Sequence, residues 1–415
     1  MFSLIVCWLL VIASAWMMYT ASVTLAALVY LLAAGGVLMR CALTLVARPV
    51  LSRALLVSAL VAVLPLAWYG LNVLVEPLPA AARRHEAEIL GAVLPGIAIG
   101  CAAAFSLIDL ARGQGLPAAA NPVSRLHGWV AVNALTVFAV AAFLAANTGE
   151  GILLVSTALL AGAETYQTLG DMLAVNLIVV YALTAVGQAT PRVRLGLNLS
   201  LALLCLATVA CAVLVGSNKL LIIALVMTLY LAVLAFRAGT GRWAWPVFGG
   251  LLLLLLLAGA GLWWVGAAGL DLADLLALTR LLDYGNVDSL LDTPSIASRL
   301  EILSDCASRQ FALGPIAGDL AAEFRTCGDG HYLHSLLSIQ THLGLVGTLS
   351  FGLAVFWGLF TLWRQPRFRL LRLPALLVLG VGLIGAYFTW MPFWFLMAWM
   401  LGLQGADARR SRAQT

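Results

Sequence analysis

Charge is what this sequence has least of. Only 10% of its residues are charged, against 63% hydrophobic, whereas soluble domains run near a quarter charged and half apolar. That balance excludes a water-soluble globule. Lysine is all but missing: Lys219 is the only one, so the net charge of +5 rests on arginine. No glycine-rich nucleotide loop and no GxxxxGK[ST] occur, which excludes an encoded ATP motor. No Cys/His spacing matches a zinc site, and Cys306 and Cys327 stand apart with no CxxC pair, so no metal is expected. No period of 20–50 residues stands out, which argues against repeat architectures. The apolar run from Phe2 has no basic n-region, so although Ala13-Ser14-Ala15 offers a cleavage-type site, a retained first helix is expected.

What fills the chain instead is long apolar runs, the mark of transmembrane helices. Spans are expected at Phe2–Met18, Ser22–Met39, Ala54–Val75, Ile89–Ile108, Gly128–Asn147, Met172–Gln188, Leu197–Val215, Leu220–Phe236, Trp243–Val265, His334–Trp363, Leu373–Thr389 and Met391–Leu403. The fold class is therefore an all-α polytopic membrane protein of about twelve transmembrane helices. Ile152–Ala163 is too short to span and is expected to be interfacial or re-entrant, within a segment near 152–171. Charge tests the count. With the N-terminus in the cytoplasm, the inner loops carry net +14 and the outer ones −9, which recovers the total of +5. Basic loops stay inside. Counting Ile152–Ala163 as a span would turn every later arginine cluster outward, so both termini are placed in the cytoplasm. The sum says little about nucleic acid, because the charges are sorted by membrane side; no nucleic-acid partner is expected.

Three parts follow: helices one to nine with short loops over 1–265, an outer loop over 266–333, and helices ten to twelve with a tail over 334–415. From Gly266 to Gly347 the chain holds ten of its eighteen acidic residues, three of its five histidines and two of its seven cysteines. This polar interval is where surface chemistry would reside. Cys306 and Cys327 lie in it; outside the cytoplasm they can form a disulfide or remain two thiols. The other five cysteines fall in or beside apolar runs and behave as small apolar residues.

Few residues there can do chemistry. Lys219, in the short outer connection Gly216-Ser217-Asn218-Lys219, is either a snorkelling anchor or a point charge for a phosphate. Arg299 follows Pro294 and Ser295 at an expected helix start, where the helix N-terminus also attracts anions. Its other reading is a surface pair with Glu301 or Asp305. Arg280, Arg309 and Arg325 are weaker versions of the same idea and are expected to be solvated. His334 stands where the loop turns into the next span, before Ser335 and Ser338. It is a helix-entry residue or a base near neutral pH. His331 can share that role, His342 is expected to pack within the bundle, and Tyr332 stacks on a sugar or belongs to the aromatic belt. Gly344 and Gly347 are expected at close helix contacts.

His334-Ser335-x-Leu337-Ser338, with Gly344 and Gly347 following, resembles the O-antigen polymerase (Wzy) family of the wider O-antigen polymerase and ligase superfamily. Ser298-Arg299 followed by Gly314-Pro315 and Gly318 is similar to the family's arginine helix and glycine-containing turn. Ser217-Asn218-Lys219 resembles a superfamily Ser-Arg motif, with lysine keeping the charge and losing the bidentate fork. The resemblance runs from about Leu197 to the C-terminus. It implies a GT-C-like glycosyltransferase fold in a bacterial inner membrane, with its site facing the periplasm. Donor and acceptor would both be undecaprenyl-diphosphate-linked glycans, met at the surface of the membrane lipid. Lys219 and Arg299 would hold the diphosphate, and His334 would take the acceptor proton, with inversion and without metal or cofactor. A chain-length-regulating protein is a candidate partner. Two other readings stand beside this one: a ligase passing the chain to lipid A–core, and a transporter or flippase for polysaccharide or lipid-linked sugar. The near absence of charge within the spans argues against the transporter. A non-catalytic scaffold is a third.

Overall fold

The computed structural model describes residues 2–20, 67–79, 96–104, 106–107, 122–146, 165–186, 191–215, 217–237, 294–328, 333, 336–382 and 390–404, with isolated positions at 32, 35, 36, 39 and 64. Among the described residues every regular element is helical. These are α1 (Phe2–Thr20), α2 (Pro122–Ala146), α3 (Thr165–Val186), α4 (Pro191–Val215), α5 (Asn218–Arg237), α6 (Pro294–Leu313), α7 (Ala322–Thr326), α8 (Leu336–Arg364), a 3-10 turn at Pro366–Leu371, α9 (Arg372–Gly382) and α10 (Met391–Gln404). Residues 67–75 and 96–104 are helical as well. Proline opens α2, α4 and α6, where its missing N–H costs nothing and its fixed φ suits the first turn.

Two described helices, over Leu126–Leu144 and Leu337–Arg364, are long and apolar enough to cross a membrane. Shorter apolar helices lie at Ser3–Ala15, Leu169–Ala185, Leu199–Val215, Lys219–Val233 and Met391–Met400. The expected spans 22–39 and 243–265, and the short segment 152–163, fall outside the described residues save for isolated positions; 54–75 and 89–108 are described in part. The chain divides into two compact units, one of Met1–Ala26 with Arg112–Leu290, the other of Ala27–Ala111 with Leu291–Thr415.

In the first unit, α1, α2, α3, α4 and α5 pack side by side. Trp8 of α1 donates its Nε1–H to Thr136 Oγ1 of α2 at 2.7 Å and meets Trp129 edge-on. That satisfies a half-buried indole donor in an apolar bundle. The core face of α3 runs without interruption from Met172 to Leu183, because neighbours cover it on several sides. Cys7, Cys205 and Cys211 are free and buried here.

In the second unit, residues 96–104 lie on α10. Gly96 and Gly100 are one turn apart, and a Cβ at Gly96 would stand 2.7 Å from the Met391 carbonyl oxygen. A small-xxx-small face of this kind lets two helix backbones approach closely. On α8, Leu345, Leu349, Leu353, Phe356 and Phe360 are all exposed. They recur at three- and four-residue spacing, so they form one apolar stripe. Such a stripe needs an apolar surround. At the far end of α8, Arg372 donates to the Leu362 and Trp363 carbonyls at 3.2 and 2.8 Å. These caps satisfy orphan carbonyls and put positive charge at the helix C-terminus.

Candidate functional site

The other end of α8 is built differently. Gly344 sits at φ 61 and ψ −164, so the helix is broken there. A break at this depth frees backbone groups that must find partners. The segment after α6 supplies them. Leu345 N–H donates to the Pro315 carbonyl at 3.1 Å, and Val346 N–H to Ile316 at 3.2 Å. Asp319 N–H donates to the Thr341 carbonyl at 2.9 Å, and Gln340 Nε2 to Pro315 at 3.0 Å. Such close approach of three backbones needs glycine. Gly318 (φ 87) abuts the His342 carbonyl, Gly344 abuts Ile316 and Gly318, and Gly314 abuts Gly318. Gly344 was expected at a helix–helix contact. The structure corrects this: its partner is a loop backbone, because a bonded turn fills the break. Gly347 likewise faces the Leu343 side chain of its own helix.

Residues 67–76 brace the same joint. Trp68, Asn72 and Glu76 are spaced by four and share a face. Trp68 Nε1 donates to the Leu343 carbonyl at 2.9 Å. Asn72 Nδ2 donates to the Ala317 carbonyl at 3.1 Å. Glu76 Oε2 accepts from Leu320 N–H at 2.9 Å. Arg325 of α7 completes the cluster, meeting Glu76 Oε1 at 3.0 Å and Asp319 Oδ2 at 2.6 Å. Asp319 Oδ1 accepts from Ala321 N–H at 2.8 Å. Arg325, expected to be solvated, is exposed and in addition doubly ion-paired, because two carboxylates converge where α7 meets residues 67–76. Arg309, by contrast, lies on the exposed face of α6 and donates to the Asp305 carbonyl of its own helix. Burial, helped by the neighbouring Asp319 carboxyl, pushes Glu76 up to about 7, against the pull of the Leu320 amide and Arg325.

A disulfide joins Cys306 of α6 to Cys327 after α7. It closes the chain around the turn that fills the break, so α6, α7 and the turn form one cross-linked body. Cys306 is buried beneath it.

The expected site residues are distributed as follows. Arg299 lies in the second turn of α6. Lys219 is the second residue of α5 and half-buried. Ser217 begins that helix: its Oγ accepts from Leu220 N–H at 3.4 Å, and its side chain faces Gly170 of α3. Lys219 thus stands at a helix N-terminus, an end that favours anions. His334, His331, Tyr332, Ser335 and Arg280 lie outside the described residues; Leu333 and Leu336, which bracket His334 and Ser335, do not. Ser338 and His342 are buried, and His342 Nδ1 donates to the Ser338 carbonyl at 2.6 Å, as packing within the bundle implies. Arg299 and the entry to α8 belong to the second unit, Lys219 to the first. Among the described residues, no group of three or more His, Cys, Asp or Glu is placed to hold a metal.

The Trp68, Asn72 and Glu76 face is the part that sequence reasoning missed. Its signal was three polar-edged residues at helical spacing where an apolar run ends. In comparisons with known proteins, the chain matches no family model, no curated protein and no solved structure.

Proposed function

We propose that this chain is an inverting glycosyltransferase of the bacterial inner membrane, with about twelve transmembrane helices in a GT-C-like arrangement. It polymerises undecaprenyl-diphosphate-linked repeat units into O-antigen or a related surface polysaccharide at the periplasmic face. Undecaprenyl diphosphate is its own leaving group, so the reaction needs no nucleotide. One observation carries the reading. The helix bearing Arg299 and the helix entered after His334 are bound to each other through the turn 314–319, and a disulfide cross-links that turn's flanks. A diphosphate-binding cation and a base must keep a fixed spacing for in-line transfer, and this joint is the element that would fix it. Twenty residues of α8 separate the break at Gly344 from Arg364. At 1.5 Å per residue that is about 30 Å, the thickness of a bilayer core. The carboxylates gather at one end of this length and the arginines at the other, in keeping with a periplasmic site and cytoplasmic basic loops.

In this mechanism Arg299 and Lys219 bind the diphosphate and stabilise the charge that grows on it as the glycosidic bond breaks. His334 takes the proton from the acceptor hydroxyl as that oxygen attacks the anomeric carbon. The test is a deletion strain complemented with His334→Ala. The expected outcome is a single repeat unit on lipid A–core; a wild-type length ladder would sink the assignment. Long undecaprenyl-linked chains with bare core would instead identify a ligase.

A further inference from the structure

The turn that fills the break in α8 bonds its backbone inward and turns large apolar side chains outward. Ile316 is 66% exposed, and Leu313, the last residue of α6, 45%. Loop tips that face water carry small or polar residues. Apolar side chains of this size at such a tip mark a surface that something other than water covers.

The backbone says what covers it. The Gly314 carbonyl accepts from Gly318 N–H at 2.8 Å, the Pro315 carbonyl from Leu345 N–H and Gln340 Nε2, the Ile316 carbonyl from Val346 N–H, and the Ala317 carbonyl from Asn72 Nδ2. Every carbonyl from Gly314 to Ala317 thus has a donor within the protein, and Pro315 has no N–H to satisfy. A loop in water does not need this, because water supplies the donors. In hydrocarbon an unpaired carbonyl is costly, and non-helical backbone is tolerated only where the protein satisfies it.

The apolar surface of the turn continues onto its neighbours. Ile316 is bonded at Val346, and Leu345, Val346 and Leu349 of α8 are all exposed, Leu349 by 64%. On the other side Asn72 is bonded at Ala317, and Leu71 and Val75 are exposed on the flank of the face that carries Trp68, Asn72 and Glu76. Charge begins at one end of this surface. Asp319 is bonded at Thr341, five residues before Val346. At 1.5 Å per residue, Ile316 lies roughly 7 Å further along α8 than the cluster of Glu76, Asp319 and Arg325. The exposed Glu301, Ser304, Asp305 and Arg309 lie further back on α6.

We propose that residues 313–316 are seated in the outer margin of the bilayer, with Leu313 and Ile316 against lipid acyl chains, so that the membrane surface meets the chain at the cluster of Glu76, Asp319 and Arg325. Part of the interval 266–333, expected outside the membrane, then lies within it. Lipid anchors the end of α6, and the bonds to α8 and Asn72 shelter the carbonyls of the turn from hydrocarbon. The inference rests on the membrane part of the proposed function and stands whatever reaction the chain performs.

Nitroxide labels on the full chain in phospholipid nanodiscs test this by depth. Ile316→Cys, Leu349→Cys and Ser304→Cys are labelled singly in a chain in which Cys7, Cys41, Cys101, Cys205 and Cys211 are each replaced by alanine and the disulfide is kept. Collision with oxygen, which partitions into lipid, is compared with collision with a water-soluble nickel chelate. Ile316→Cys should match Leu349→Cys, with an oxygen-to-nickel ratio several-fold above that of Ser304→Cys. Leu313→Cys should do the same and serves if Ile316→Cys does not accumulate. Nickel access at Ile316 equal to that at Ser304 would place the turn in water and overturn the proposal. Low access to both reagents would overturn it as well, because a protein surface, such as a second copy of the chain, then covers the turn. A water-exposed Leu349 would remove the membrane reading together with the proposal, whereas a lipid-facing Leu349 beside a water-exposed Ile316 would remove the seated turn alone.

Discussion

Replacing Gly344 with alanine tests the joint at its least forgiving point. The residue holds φ 61 with ψ −164, a region essentially reserved for glycine, where any other residue costs about 1–3 kcal/mol. The added Cβ would also press on backbone, the Ile316 carbonyl and the Gly318 amide. Backbone held by hydrogen bonds cannot swing aside as a flexible side chain can. Against this strain stand the four hydrogen bonds between 315–319 and 340–346, at about 0.5–1.5 kcal/mol each, or roughly 2–6 kcal/mol together. The two sums are of similar size, so the turn should leave the break in a large fraction of molecules. A loss of about 3 kcal/mol is on the order of a hundredfold in the opening equilibrium. Native-state exchange at the Leu345 and Val346 amides should show that loss of protection. Gly352→Ala on the same helix, where nothing stands within 4 Å, is the control and should be neutral or slightly stabilising. Protection within threefold of wild type in Gly344→Ala would refute the account of the break.

Two further predictions concern the flanks. Cys306→Ser or Cys327→Ser opens a loop of sequence separation 21 and should cost about 3 kcal/mol by loop entropy, read as a lower midpoint of unfolding. Thiol labelling of denatured wild-type protein should gain two sites only after reduction, and two extra labels without reductant would rule the cross-link out. Lys219→Ala should lower polymer formation about 10- to 100-fold, the worth of one charged hydrogen bond, with much of the activity kept by Lys219→Arg. Full activity in Lys219→Ala would make the residue an interfacial anchor.

Helix positions were legible because hydropathy marks them directly. α1, α4, α5 and α10 contain the runs that their composition predicts, and α2 and α8 cover nearly all of theirs; Pro294 opens α6 as expected, while Pro122 and Pro191 start α2 and α4 six residues before the expected spans. The break in α8 was not legible. Apolar residues continue on both sides of Gly344, so nothing in the run announces an interruption. Its glycines pointed to a close approach but could not name the partner, which lies 26 to 29 residues earlier in a turn with its own glycines. The Gly96 and Gly100 pair was readable as a small-xxx-small face, yet its partner α10 is nearly three hundred residues away in sequence. Arg325 shows the same limit. One arginine in a polar loop reads as exposed, which it is, but the sequence does not name the two carboxylates that folding brings to it.

The joint also narrows where sugar would bind on the proposed function. Carboxylates that recognise sugar hydroxyls must keep their oxygens available, and not all in the polar interval do. Asp319 and Glu76 are committed to backbone amides and Arg325. Glu323 is 2% exposed. Glu301 and Asp305 lie on the exposed face of α6, at positions two and six after Arg299. At about 100° per residue, Glu301 stands about 200° around the helix from Arg299, and Asp305 about 240° beyond one full circuit. An anion held at Arg299 would be repelled by a carboxylate at its side. A sugar extending from that anion would meet hydroxyl acceptors further round the helix. Among the described carboxylates, Glu76 and Asp319 hold the turn against α8, and on the proposed function the exposed Glu301 and Asp305 are the ones left for a polar substrate.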